Sequence, residues 1–203
     1  MSPEDEEERD RGLIWILMAR KPRRDLTDGT YHVSARGNRH QVVFADDGDR
    51  RFFCSLLHRV TQELRWDLHA YCLLNTHYHL VVEASVRDLS AGMHRLNGLY
   101  AQCFNGRHGL DGHLFQGRFY AGAIEADGHL LELTRYLALN PVRAGLCSNP
   151  DRWLWSSYPG LVGIGPADPF VSVERVLRLF GKDRQKAQAL IRRFVADAIE
   201  TPA

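Results

Sequence analysis

Residues 68–84, LHAYCLLNTHYHLVVEA, contain the two runs that decide the fold. Leu68 to Leu74 and Tyr78 to Ala84 are rich in aliphatic and aromatic residues, which is typical of β-strands, and the polar Asn75-Thr76 joins them. The stretch therefore predicts two neighbouring strands joined by a short turn. Because successive side chains along a strand point to opposite faces, His77 and His79 are predicted to project from the same face.

Working outward from this hairpin, the pattern of apolar residues predicts the remaining elements. Alternation of apolar and polar residues, or enrichment in residues that favour β-strands, predicts two more strands, Tyr31 to Arg36 and Phe119 to Glu125. Apolar residues at helical spacing predict three helices, of which the first opens at 47–49, the second follows Asp88 and the third follows Asp127. We expect Asp88 and Asp127 to cap their helices and Pro141 to end the third. The order β-α-β-β-α-β-α predicts an α+β fold with an antiparallel sheet and helices on one face.

The composition excludes several classes of protein. Hydrophobic residues make up 44% and charged residues 25% of the 203 residues, which is typical of a globular chain and not of a disordered, collagen-like or coiled-coil one. The apolar run Leu13 to Met18 is far shorter than the roughly 20 residues of a membrane helix, and the acidic leading segment does not resemble a signal peptide. The cysteines form no Cys-x-x-Cys pair, so we expect neither a zinc knuckle nor a disulfide framework. These features predict a cytoplasmic protein without a membrane partner.

The charge distribution suggests how the chain is organised. Residues 1–17 contain six acidic residues and two arginines, a net charge of −4, whereas the whole chain carries +1. We expect 1–17 to be an extension that is poorly ordered or forms a lid, 18–160 to be the main domain, and 161–203 to be an appendage. Amphipathic patterns predict two helices in this appendage, Val171 to Phe180 and Asp183 to Ile199. The many arginines suit phosphate binding, and equally a GC-rich genome.

Two small groups of residues point to chemistry. Two imidazoles on one strand face, His77 and His79, can bind a divalent cation that amide or carboxylate oxygens complete, although such a pair also arises by chance. Tyr136 and Asn140 lie four positions apart and share a helix face, so a phenol nucleophile and an amide ligand would lie one turn from each other. The alternative for this second pair is a buried tyrosine with an asparagine that ends the helix.

Together, the two groups resemble the HUH superfamily of single-strand nucleases and transposases. In that superfamily a His-hydrophobic-His strand is followed by a helix that carries a tyrosine with Asn or Gln four positions later. Further stretches are similar to the REP-associated tyrosine transposases: YHVSARGN at 31–38, GHLFQGRF at 112–119, RYLALNPVRAGL at 135–146 and WSSY at 155–158. The resemblance covers about residues 18–160 at the level of motifs and the tail more loosely.

The resemblance implies a ferredoxin-like or RRM-like core and an enzyme that cleaves and rejoins single-stranded DNA at hairpin-forming repeats. It assigns His77, His79 and Asn140 to binding Mg²⁺ or Mn²⁺. It assigns Tyr136 to attack on phosphorus, which leaves a 5′-phosphotyrosine and a free 3′-hydroxyl. No nucleotide cofactor is implied, and the family includes both monomers and homodimers.

Two departures from the family pattern bear on the site. Asn75-Thr76 stands where many relatives have Pro-Asn, and Tyr120 stands where a basic residue is usual, so Tyr120 is a rival nucleophile. Residues whose side chains suit contacts with phosphates or bases lie in the surrounding loops, where turn chemistry is the alternative explanation: Arg36, Asn38, Arg39, His113, Gln116 and Arg118. We expect them to bind DNA.

Other residues have two interpretations. His32 is either a core histidine or a neighbour of the metal, and Trp153 and Trp155 either stack on bases or pack at the end of the core. The tail arginines either hold a DNA stem or form a solvated helix face: Arg175, Arg178, Arg184, Arg192 and Arg193. At the level of function, the alternatives are a domesticated protein that binds hairpin DNA or RNA without cutting it, and a metallohydrolase that uses water.

Overall fold

The computed structural model describes residues 26–200, so the predicted extension 1–17 and the start of the predicted main domain lie outside the described residues. Four strands form one sheet: β1 (Gly29–Arg36), β2 (Asp67–Leu73), β3 (His77–Ala84) and β4 (Tyr120–Ala123). Their order across the sheet is β2-β3-β1-β4, and every neighbouring pair is antiparallel. The histidine strand β3 therefore lies inside the sheet.

The helices follow the predicted order. They are α1 (Asp47–Glu63), α2 (Val86–His108), α3 (Asp127–Arg143), α4 (Tyr158–Leu161), α5 (Glu174–Phe180) and α6 (Arg184–Glu200), with short 3₁₀ turns at Asn38–His40 and Pro150–Arg152. The predicted α+β class and the order of elements from the first strand to the third helix are confirmed. In the described part of the chain, no helix is both long enough and apolar enough to cross a membrane.

Helices cover both faces of the sheet, so the prediction of helices on one face was wrong. Tyr78, Leu80 and Val82 of β3 belong to the apolar cluster that α1 and α2 share. Val81 points to the other face and belongs to a second cluster with residues of α3, among them Leu133. Since β3 is apolar on both faces, burying it requires a layer of helices on each side, as in strands that read as continuous apolar runs.

The predicted caps are displaced by a few residues. Ser85, not Asp88, is the N-cap of α2: its hydroxyl oxygen accepts a hydrogen bond from the Asp88 backbone N–H at 3.0 Å. Ala126 takes the corresponding position in α3 without a side-chain hydrogen bond, and Asp127 lies in the first turn. An acidic side chain there still stabilises the helix, because it lies near the positive end of the helix dipole.

Helix α3 continues through Pro141 to Arg143, so the prediction that Pro141 ends it was also wrong. A proline removes one backbone donor and crowds the preceding turn, which is a large penalty in the middle of a helix. Here the proline lies in the last turn, and the backbone N–H groups of Ala144 and Leu146 bond to the carbonyls of Asn140 and Pro141 at 2.9 and 2.8 Å. The extra turn adds Arg143 to the helix face that covers the sheet.

The C-terminal helices pack against α3, and the segment before them protects the edge of the sheet. One apolar cluster joins α3 to them through residues such as Leu139, Val176 and Ile191. The backbone of 155–157 runs beside β2, where the Leu73 N–H donates to the Trp155 carbonyl at 2.8 Å. This strip covers an edge strand that would otherwise expose unpaired backbone groups. The predicted helix Val171 to Phe180 begins at Glu174, and the division of the chain at residue 160 stays a prediction.

Candidate active site

Two histidines of β3 and one of β1 meet at the end of the sheet where β3 begins. His77 is the first residue of β3, and its ring centroid lies 5.0 Å from that of His79 with the planes nearly perpendicular. The Nδ1 atom of His79 lies 2.9 Å from Nε2 of His32, which belongs to the neighbouring strand β1. His32 and His79 are 4% and 7% exposed, so their bond is shielded from water.

Both buried histidines are held in the neutral form. Burial, followed by the charges of His77 and Arg36, holds the pKa of His79 well below its usual range. Burial, followed by the charges of His79 and His129, has the same effect on the pKa of His32. A neutral imidazole keeps one ring nitrogen free of a proton, which is the form that binds a metal ion.

The site contains buried polar atoms without partners, and they fit a divalent cation. Within residues 26–200, neither His79 Nε2 nor Asn140 Nδ2 has a hydrogen-bond partner, although both are buried. Such atoms are rare in folded proteins. Because the oxygen and nitrogen of an amide are assigned from their surroundings, a half-turn of the Asn140 amide would present its oxygen instead. Imidazole nitrogens with an amide oxygen are ligands that a divalent cation accepts.

The ligand set does not extend to a cluster of acidic side chains. In the described part of the chain, no group of three or more His, Cys, Asp or Glu residues could hold a metal ion. A cation at His77 and His79 would therefore take its remaining ligands from Asn140, solvent or substrate. Open coordination positions are a feature of catalytic sites and not of structural ones.

Helix α3 carries Tyr136 to the same place. The ring of Tyr136 meets the ring of His79 edge to face, with centroids 5.7 Å apart. Asn140 lies one turn later on the same helix and is 8% exposed. The structure thus brings Tyr136 into contact with His79, and Asn140 lies one helical turn from Tyr136 in the same chain.

The face of α3 over the sheet holds two further residues that the sequence argument missed. Arg143 lies seven positions after Tyr136, and its guanidinium carbon is 5.8 Å from the centre of the Tyr136 ring. His129 lies seven positions before Tyr136, close enough for its charge to affect His32. A spacing of seven returns to the same face of a helix, and this signal could have identified both residues. It was missed for Arg143 because Pro141 was expected to end the helix.

Tyr120, the rival tyrosine, lies at a different point of the site. It is half-buried at the start of β4, directly opposite Ser34 on β1. Its ring meets the ring of His32 edge to face at 6.0 Å, whereas Tyr136 meets His79. Of the two tyrosines, Tyr136 is therefore the one whose ring contacts a member of the His77 and His79 pair.

Two loops join beside His77 and carry the predicted DNA-binding residues. Arg36 is opposite His77 in the sheet, and its backbone carbonyl accepts from the Gln116 N–H at 2.8 Å. The Asn38 N–H donates to the Leu114 carbonyl at 2.8 Å, which ties the two loops together. The predicted residues therefore surround one end of the sheet, and four of them are exposed: Arg39, His113, Gln116 and Arg118.

The turn before His77 is fixed by Asn75, one of the departures from the family pattern. The Asn75 backbone carbonyl accepts from the N–H groups of Val43 and Phe44, and its side-chain oxygen accepts from Arg50 at 2.6 Å. The Arg50 guanidinium lies 5.7 Å from the Trp153 ring and a similar distance from that of Trp155. These contacts support the interpretation that Trp153 and Trp155 pack at the end of the core. They also give Asn75 a structural role in holding the turn before His77.

Three of the five tail arginines form ion pairs within the described part of the chain. Arg175 pairs with Glu83, Arg184 with Glu174, and Arg192 with Asp151. Arg178 and Arg193 are exposed on α5 and α6. Glu83, which shares a strand face with His79, is held by Arg175 and His69 at the far end of β3.

The fold is similar to that of a REP-associated tyrosine transposase solved with a bound REP hairpin, with a TM-score of 0.59 and 20% identity over 77% of this chain and 93% of that one. A candidate transposase from Deinococcus radiodurans gives a TM-score of 0.39 and 18% identity over 57% and 93%, which is too low to carry an argument. Identities of this size show a shared fold alone.

No curated protein matches the chain. The family model described as "Transposase IS200 like" matches residues 25–140, which are more than half of the 203 residues and include β1 to β4, His77, His79, Tyr136 and Asn140. The chain belongs to the IS200-like transposase family.

Proposed function

We propose that this protein is a metal-dependent transposase that cleaves and rejoins single-stranded DNA at hairpin-forming repeats. The observation that carries the proposal is the contact between Tyr136 and His79, whose buried outer nitrogen has no partner within residues 26–200. If Tyr136 only packed in the core, there would be no reason for the neighbouring His79 to leave one buried ring nitrogen without a hydrogen bond. Membership of the IS200-like family supports the general class of activity.

His77, His79 and Asn140 would hold the cation, Mg²⁺ or Mn²⁺. When bound, such an ion polarises the scissile phosphate and neutralises charge that develops on it. The chain's own contribution is to keep His79 neutral, because burial holds its pKa well below its usual range. Asn140 lies one helical turn from Tyr136, so the ligand and the nucleophile move as one rigid unit.

In the proposed covalent step, Tyr136 is the nucleophile. Its phenolic oxygen forms a bond to phosphorus while the bond from phosphorus to the 3′ oxygen breaks. The phenol loses its proton, and the departing 3′ oxygen takes one up to become a hydroxyl, which leaves a 5′-phosphotyrosine. Attack by a 3′-hydroxyl reverses these bond changes and rejoins the strand. The Arg143 guanidinium lies beside the Tyr136 ring, with its carbon 5.8 Å from the ring centre, and would be available to the DNA phosphate.

The loops around His77 would hold the DNA. Arg39, Gln116 and Arg118 are exposed and lie on the two loops that are bonded to each other beside β1. Arginine and amide side chains contact both phosphates and bases, and binding through phosphates weakens with rising salt. The similar REP-associated tyrosine transposase, which was solved with a REP hairpin, supports hairpin DNA as the class of substrate.

Because one chain carries both Tyr136 and the histidine pair, we propose that each site is assembled within a single chain. The test is a mixture of His79→Ala and Tyr136→Phe proteins. Each variant lacks one half of the site, so the mixture should remain inactive. Recovery of cleavage in the mixture would mean that two chains exchange α3 and that the active form is a dimer.

A labelled hairpin oligonucleotide with Mn²⁺ tests the proposed chemistry. A single strand that carries the hairpin is labelled at either end and incubated with wild-type, Tyr136→Phe or Tyr120→Phe protein, and the products are separated on a denaturing gel. We expect a covalent protein–DNA adduct that is lost in Tyr136→Phe and retained in Tyr120→Phe. The reverse result would move the nucleophile to Tyr120. Cut DNA without any adduct would indicate a metallohydrolase, and binding without cutting would indicate a hairpin-binding protein.

A further inference from the structure

His32 is a buried histidine to which neither the family match nor the proposed covalent chemistry assigns a role. It lies on β1, one strand away from the histidine pair, and is 4% exposed. Its Nε2 atom lies 2.9 Å from Nδ1 of His79, and the two rings are stacked with centroids 5.1 Å apart. Nε2 of His32 therefore faces Nδ1 of His79. The proposed metal ligand is the other ring nitrogen of His79, Nε2.

We propose that His32 is a positioning residue that fixes His79 as a metal ligand, an inference that rests on the proposed function. For His79 to bind a cation through Nε2, its proton must lie on Nδ1. His32 Nε2 would accept that proton in a hydrogen bond, which selects the required tautomer and fixes the ring plane. Outer partners of this kind orient metal-binding histidines, and their loss typically lowers metal affinity about 10–100-fold.

A comparison with His69 separates this role from that of an ordinary core histidine. His69 is 3% exposed, and both of its ring nitrogens have partners: the Ser172 carbonyl at 3.2 Å and the Glu83 carboxylate at 3.1 Å. His32 is equally buried, yet its Nδ1 has no hydrogen-bond partner in the described part of the chain. Leaving a buried donor unpaired costs about 1–3 kcal/mol, so a purely structural residue at this position would more favourably be apolar.

The proposal also accounts for Tyr120. Its ring packs edge to face on the side of the His32 ring, 6.0 Å between centroids. His32 thus contacts Tyr120 on β4 as well as His79 on β3, and both contacts restrict its ring. Tyr120 would then act as packing for the positioning residue and not as a nucleophile.

Three substitutions test the role of His32 through metal affinity, without measuring cleavage. His32→Leu keeps apolar volume and removes the acceptor. His32→Gln restores a carbonyl oxygen at about the distance of Nε2. His69→Leu makes the same change in the other buried histidine, at the far end of the sheet. Mn²⁺ binding followed by electron paramagnetic resonance should weaken about 10–100-fold in His32→Leu, return to within a few-fold of wild type in His32→Gln, and stay unchanged in His69→Leu.

The same titration distinguishes failure of this inference from failure of the proposed function. If wild-type protein binds Mn²⁺ and His79→Ala does not, the metal site stands. Wild-type affinity in His32→Leu would then overturn the positioning role alone. If His79→Ala binds Mn²⁺ as well as wild type, the proposed metal site fails, and the role of His32 fails with it.

Should His32→Leu fail to fold, the wild-type protein still provides a test. Long-range proton–nitrogen spectra of ¹⁵N-histidine-labelled protein saturated with Mg²⁺ report which ring nitrogen carries the proton. We expect His79 to be protonated at Nδ1 and His32 at its own Nδ1, with Nε2 as the acceptor. A proton on Nε2 of His32 would contradict the proposal, because the bond would then run in the opposite direction.

Discussion

A buried histidine lies near each end of β3, His79 on β3 itself and His69 on the neighbouring β2, but the two ends differ in how completely their polar atoms are paired. At the far end, His69 has partners on both ring nitrogens, and Arg175 bonds to both Glu83 and Thr30. At the near end, His79 and His32 share one hydrogen bond, and each has a second ring nitrogen with no partner among residues 26–200. The far end is complete without a ligand, whereas the near end is not.

This difference shows which buried histidines are candidates for function. Burial alone does not distinguish His69 from His79, since both are less than 10% exposed. What distinguishes them is the unpaired nitrogen, because native structures rarely leave buried polar atoms without partners. We therefore expect substitutions at the near end to change chemistry and substitutions at the far end to change stability.

The largest effect is expected for His79→Ala. Removing this ligand should lower the rate of hairpin cleavage by at least about 10³-fold, comparable with the loss of a key group in other active sites. His69→Leu is the matched control and should leave the rate nearly unchanged, although it lowers stability. Single-turnover cleavage with excess enzyme measures both. Equal losses in the two variants would remove the distinction between the ends of β3.

A smaller loss of rate is expected for Arg143→Ala. The guanidinium lies 5.8 Å from the Tyr136 ring at an exposed position, and such contacts are worth about 0.5–1 kcal/mol, with more if the arginine also meets the phosphate. Cleavage should slow about 2–5-fold from the loss of this contact, and more if the phosphate contact is also lost. Mn²⁺ affinity should not change, because Arg143 is not a ligand. Arg143→Lys should recover part of the rate, and a drop in metal affinity in either variant would contradict this role.

At the far end, Glu83→Ala should change stability and leave chemistry intact. The substitution leaves His69 without one partner, which costs about 1–2 kcal/mol for a buried group. The ion pair with Arg175 adds less than about 1 kcal/mol, because Glu83 is 46% exposed and water screens the interaction. Urea unfolding should show this decrease, with cleavage and Mn²⁺ binding equal to wild type. A tenfold loss of cleavage would show that the two ends are coupled.

The smallest expected effect concerns pH, and it is also confined to the far end. Burial would raise the pKa of Glu83, but hydrogen bonds from His69 and Arg175 and their charges lower it below its ordinary value of 4.5. A carboxylate with a lowered pKa stabilises the fold above its unfolded-state pKa, and this contribution is lost as pH falls through the folded-state pKa. The stability difference between wild type and Glu83→Gln should therefore shrink below about pH 4.5. A difference that grows on acidification would contradict this.

Sequence spacing predicted those parts of the site that lie on one element. His77 and His79 share a strand face, and Tyr136 and Asn140 share a helix face, because these relations depend only on the geometry of a strand and a helix. Spacing of apolar residues also predicted the order of elements up to α3. The placement of the two groups against each other required the packed fold, although the resemblance of the motifs had implied it.

Contacts between elements could not be predicted from the sequence. The bond between His32 and His79 depends on the register that sets His79 opposite Ser34, and this register results from pairing over 45 residues of chain. Arg143 was missed for a local reason, since the penalty for a proline depends on its place in the helix and Pro141 lies in the last turn. The helices on the second face were missed because the prediction used the order of elements alone, although the continuous apolar run of β3 indicates burial on both faces.

The most direct test of the account is to locate the covalent bond. Wild-type protein is incubated with the hairpin oligonucleotide and Mn²⁺, the adduct is digested with nuclease and protease, and the modified peptide is sequenced by mass spectrometry. The account predicts a phosphorylated nucleotide remnant on Tyr136, in the peptide that also contains Asn140. A remnant on Tyr120, or cut DNA with no modified tyrosine, would contradict it.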